Sequence, residues 1–74
     1  MIFQSGVHLK TGKCLLTDRE HVTLEAAQEA VARVNKDLRD KKAVFHLIVN
    51  GSTVLVPQPN VDYVEFSVYE MEEE

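Results

Sequence analysis

Hydrophobic and polar positions change period along the chain, and each change marks an element. Phe3, Ser5, Val7 and Leu9 alternate with Gln4, Gly6, His8 and Lys10, the two-residue period of a half-buried strand. Lys10-Thr11-Gly12-Lys13 supplies a turn, and Cys14-Leu15-Leu16-Thr17 returns as a short second strand. A two-residue loop sets Leu9 opposite Cys14 and Val7 opposite Leu16, so that one face is apolar and the other carries His8, Lys10, Lys13 and Leu15. The facing lysines repel, which leaves a four-residue loop as the alternative.

A polar connector, Asp18-Arg19-Glu20-His21, leads to a change of period. Leu24, Ala27, Val31, Val34 and Leu38 recur at spacings of three and four, one apolar stripe on a helix of roughly 18 residues. Thr23 is the expected N-cap, its hydroxyl accepting from an orphan amide of the first turn, with Glu25 at the positive helix end. Glu29 with Arg33, Arg33 with Asp37, and Lys36 with Asp40 lace the opposite face. No glycine caps the far end, so the helix stops somewhere near residues 40–42.

The sharpest local signal follows. Two apolar runs, residues 44–49 and 53–56, flank Asn50-Gly51-Ser52, and Asn-Gly between such runs predicts a hairpin with a type I′ turn. The pairing is then Val49 with Ser52, Leu47 with Val54 and Phe45 with Val56 on a core face, and Ile48 with Thr53 and His46 with Leu55 on the reverse. Pro57-Gln58-Pro59-Asn60 ends the strand, because proline cannot donate to a ladder. In the last strand, residues 61–69, Val64, Phe66 and Val68 point one way and Tyr63, Glu65, Ser67 and Tyr69 the other.

The order β-β-α-β-β-β predicts a two-layer α+β domain with the helix across one face of a mostly antiparallel sheet of about five strands. The open face would then carry Gln4, His8, Leu15, His46, Ile48, Thr53, Leu55, Tyr63 and Tyr69. Tyrosine, histidine and aliphatic side chains together on a solvent-facing sheet suit the centre of an interface, and His8, Leu15, His46, Ile48, Leu55, Tyr63 and Tyr69 are the expected interaction face.

Composition narrows the alternatives. Seventy-four residues hold a single domain with a small core, and one cysteine allows no intrachain disulfide, so association is the remaining route to buried area. The start of the chain carries no basic segment before an apolar run, and about 18 consecutive apolar residues occur nowhere, which predicts a cytoplasmic protein without a membrane segment. Glu70, Glu72, Glu73 and Glu74 account for the whole net charge of −4, leaving a neutral body with a frayed acidic tail over residues 70–74. The cations Arg33, Lys36, Arg39, Lys41 and Lys42 are interrupted by Asp37 and Asp40, a solvated helix face and not a nucleic-acid stripe.

Candidate chemistry is thin. Gly12-Lys13 is no phosphate loop, since the earlier glycine is misplaced and Cys14 stands where Ser or Thr would bind magnesium. His8, His21 and His46 lack ligand spacing, and Cys14 is expected in the core beside Leu9 as a small hydrophobe. Asp18, Glu20 and His21 form the most polar cluster, explained by the helix end they precede. No catalytic residue, cofactor or metal site is assigned. The expectation is a small cytoplasmic, non-enzymatic interaction protein contacting itself or a protein partner through a sheet face or edge strand. The alternative is a small-ligand-binding or catalytic protein whose site forms between subunits.

Overall fold

The computed structural model describes residues 1–70, so the expected acidic tail beyond Glu70 lies outside the described residues. Its elements run β1 (Ile2–Leu9), β2 (Cys14–Leu16), β3 (Glu20–His21), α1 (Leu24–Asp37), β4 (Val44–Val49), β5 (Ser52–Pro57), a single 3-10 turn (Gln58–Asn60) and β6 (Val61–Tyr69). This is an α+β fold of one helix packed with antiparallel sheets. The strands divide into two sheets where a single one was expected. In the larger, β6 runs the length of β1 on one edge, while β2 and β3 share the other; β4 and β5 form the second sheet alone.

The extra strand β3 comes from the polar connector, whose Glu20 and His21 pair with Phe3 and Ile2. Between β2 and β3 the chain is held to β1 through Thr17: its amide donates to the Ser5 carbonyl at 2.9 Å, and its hydroxyl accepts from the Ser5 amide at 2.9 Å. A side chain here completes a ladder that the backbone alone leaves open.

The first hairpin differs from expectation by one residue. Val7 pairs with Leu15 and His8 with Cys14, because Lys10-Thr11-Gly12 forms a three-residue loop. The Gly12 amide donates to the Leu9 carbonyl and the Leu9 amide to the Lys13 carbonyl, with Gly12 at φ 94° in the left-handed region that such loops require of their last residue. A slip of one residue exchanges the two faces of a strand. Leu15 therefore turns inward against the core, and Cys14 and Leu16 are exposed.

The second hairpin has the expected register throughout, with Asn50 at φ 51° and Gly51 at φ 78°. Phe45, Leu47 and Val56 are buried, while His46, Ile48 and Leu55 are exposed. Asp18 ties this hairpin to the larger sheet. Its carboxylate accepts from the Asn50 and Gly51 amides at 2.7 and 2.8 Å, and its own amide donates to the Ile48 carbonyl at 2.8 Å.

The core lies between the sheets: Val7, Phe45, Leu47, Val56 and Val61, with Val34 and Leu38 of the helix partly buried against it. Thr23 caps α1 by accepting from the Ala26 amide at 3.1 Å. The helix is shorter than the stripe implies, ending at Asp37 with Leu38 as its C-cap. There Gln58 fastens it, its side-chain amide donating to the Leu38 carbonyl at 2.7 Å while its backbone amide donates to the Ala43 carbonyl at 2.9 Å. Only Ala27 of the stripe is buried, whereas Leu24 and Val31 remain exposed, so the expectation that the full stripe covers the sheet fails.

Nothing lies within 4 Å of a Cβ built on Gly51, so Gly51→Ala is opposed by backbone strain alone, costing about 1–2 kcal/mol. Asp18→Ala, which leaves two turn amides without their carboxylate, is expected to cost a further ~1–2 kcal/mol. Both effects read as a lowered urea midpoint at unchanged slope. An Asp18→Ala midpoint equal to wild type would mean that the hairpin tip is not held from outside.

Candidate functional site

Among the described residues every buried side chain is apolar, so all groups able to do chemistry lie at the surface. They concentrate on the outer face of the larger sheet. The register there sets His8 between Cys14 and Tyr63, Gly6 between Leu16 and Glu65, and Gln4 beside Ser67. The His8 ring stacks on Tyr63 with centroids 4.1 Å apart and 9° between planes. Its Nε2 lies 2.6 Å from Oε1 of Glu65 and 3.8 Å from Sγ of Cys14. Gly6 floors this hollow, the methyl group Cδ2 of Leu16 standing 3.4 Å from where its Cβ would be.

Both neighbours of His8 thus compete for one nitrogen. A carboxylate only accepts, so the short contact requires Nε2 to carry a proton directed at Glu65, and no lone pair remains there for the Cys14 thiol. A nucleophilic pair needs the reverse arrangement, with the base's free nitrogen at the thiol and the orienting acid on the other. The geometry makes Glu65 and Tyr63 anchors of the His8 ring. No group of three or more His, Cys, Asp or Glu side chains among the described residues is arranged to hold a metal ion.

The expected interaction face is divided. His8, Tyr63 and Tyr69 share the outer face of the larger sheet. His46, Ile48 and Leu55 lie together on the outer face of the β4–β5 hairpin. Leu15 belongs to neither, having turned inward with the shifted register, while Cys14, expected in the core, is exposed beside His8. The signal that places both was Gly12, the third residue of its loop.

A second feature was not anticipated. Between α1 and β6 lies an open groove of about 540 Å³, with Leu24, Val31 and Leu38 on one wall and Val64, Phe66 and Val68 on the other. Leu24 is 53% exposed, Val31 36% and Val68 39%, so apolar side chains that pattern assigned to the core face water. The excess was readable from the strand count, because one short helix cannot roof the inner side chains of every strand. The groove also borders an edge. β6 pairs with β1 on one side, and among the described residues no strand pairs with it on the other; there the Val61 amide donates to the Gln58 carbonyl, and no backbone group from Asp62 to Tyr69 has a bond.

No helix among the described residues is long and apolar enough to cross a membrane. Comparison with protein families, with curated proteins and with solved structures finds no match for this chain.

Thiol chemistry reports the face assignment directly. In native protein Cys14 is expected to react with a bulky maleimide at a rate comparable to that of the urea-unfolded chain. Protection that is lifted only by unfolding would restore the buried position expected from sequence.

Proposed function

We propose that this is a small cytoplasmic protein that acts by contact, binding a second copy or a protein partner through the outer face and free edge of its larger sheet, without catalysis. The observation that carries the reading is the long edge of β6, with which no strand among the described residues pairs on one side, bordered by an open apolar groove. Exposed edges invite strand addition, and proteins that keep them solvated blunt them with lysine, proline or short length. β6 is long, contains neither lysine nor proline, and carries Asp62 and Glu65 as its only charges. Strand addition draws affinity from main-chain hydrogen bonds and specificity from pockets for alternate side chains, and the groove supplies such pockets on the inner side of β6. Tyr63 and Tyr69, 50% and 42% exposed, add interface-prone aromatics on the outer side.

A ligand-binding or catalytic site formed between subunits is the second reading, favoured by the gathering of His8, Cys14, Glu65 and Tyr63. It predicts that a small molecule or metal ion shifts the His8 ring resonances in a titration.

The contact reading is tested with a photoreactive phenylalanine analogue placed in the full chain at Tyr63, Tyr69 or Val31, and at Lys41 as a control, followed by irradiation in the producing cell. Protein adducts, to itself or to another chain, are expected from the first three positions and not from Lys41. Their absence at all three would overturn the reading.

A further inference from the structure

We infer that the free edge of β6 is taken by β6 of a second copy of this chain, antiparallel and centred on Phe66; this rests on the contact reading and names the partner. Backbone directions come first. Ser5 exchanges bonds with Thr17, so its amide and carbonyl point away from β6, and by alternation those of Gln4, Gly6 and His8 point towards it. Their partners Ser67, Glu65 and Tyr63 therefore direct their backbone groups inward to β1. The groups of Val64, Phe66 and Val68 are left pointing out of the free edge.

These three residues are spaced symmetrically about Phe66. A two-fold axis through that position sets Phe66 against Phe66 and Val64 against Val68 of the second copy, each pair exchanging both bonds, about six in total. The side chains agree with the backbone. Over residues 64–68 the inner-face pairs are all apolar, and Asp62 meets Glu70 only at the two ends, past the last residue of β6; on the outer face Tyr63 meets Tyr69, and Glu65 meets Ser67. Shifting by one residue would set inner side chains against outer ones. A two-residue shift one way brings Glu65 onto Glu65 of the second copy, with like charges directly opposed. The same shift the other way sets Val64 against Glu70, past the end of β6, and leaves two of the three outward-pointing positions paired within the strand. The Phe66-centred register pairs all three outward-pointing backbone positions within β6 and keeps like charges out of the centre of the pairing.

The axis also accounts for the groove. It stands perpendicular to the sheet, so both helices lie over the same face of the joined sheet. Val64, Phe66 and Val68 of the two copies form one continuous apolar floor between them. Leu24 and Val31, exposed in the single chain, line this floor from either side.

Ser67 provides the test, because it is exposed on the outer face and supports no core contact, while in this register it opposes Glu65 twice per dimer. Sedimentation equilibrium of the full chain should show a concentration-dependent dimer. Ser67→Glu, which creates two like-charge pairs, should raise its dissociation constant about tenfold, and Ser67→Lys should lower it by a similar factor. Added salt should narrow the difference. Far-UV circular dichroism of each variant confirms the retained fold. A dimer indifferent to both substitutions is built elsewhere, which overturns the inference and leaves the contact reading standing. A chain that stays monomeric at every accessible concentration also overturns it, and the photocrosslinks then decide separately whether the contact reading survives with another partner.

Discussion

Strand β1 is the one strand among the described residues hydrogen-bonded along both edges, and the other elements are arranged by its alternation. Its odd residues point into the space between the two sheets, where Val7, 1% exposed, is the most deeply buried side chain. Its even residues build the outer face, from Gln4 through Gly6 to His8. Because β6 and the β2–β3 segment both register against this strand, each inherits its division into inside and outside. Exchanging the faces of β1 would expose Val7 and bury His8 together with Glu65, polar groups whose desolvation the small core could not offset.

The second sheet is attached differently. Its hairpin buries Phe45, Leu47 and Val56 against the inner face of β1, and among the described residues Asp18 alone ties its far end to the larger sheet by hydrogen bonds. One carboxylate thus serves the two amides that a type I′ turn leaves facing outward, and the backbone bond beside it fixes the spacing between sheets. Gln58 does the corresponding work at the other end, joining the helix terminus to the base of the hairpin. Two polar side chains accordingly set the positions of elements whose burial is otherwise non-directional.

The proposed function grows from an imbalance in this arrangement. The inner face of β6 presents Val64, Phe66 and Val68, yet α1 sits over the core with Val34 and Leu38 and leaves the β6 side uncovered. The uncovered apolar strip and the unpaired backbone edge lie side by side, and a single added strand would satisfy both. On the outer face His8, Tyr63 and Glu65 hold one another in place, and the proton that Nε2 directs to Glu65 leaves Cys14 without a base. Packing and polarity both point to association as the property this molecule has in reserve.

Local signals alone determined several features of this protein. Asn50-Gly51 set the turn type and through it all six pairs of the β4–β5 ladder; Thr23 set the helix start; and Pro57-Gln58-Pro59-Asn60 set the end of β5. Each depends on the conformational limits of one or two residues, which hold wherever the chain is placed. Gly12 carried the same kind of information for the first hairpin, and reading its loop as two residues long turned Leu15 outward and Cys14 inward. Tertiary structure decided the rest: the division into two sheets, the recruitment of Glu20 and His21 to β1, the reach of Asp18 to Asn50 and Gly51 across the chain, and the exposure of Leu24 and Val31. Periodicity reports that a face is apolar but not whether anything is large enough to cover it, because coverage depends on where distant elements come to rest.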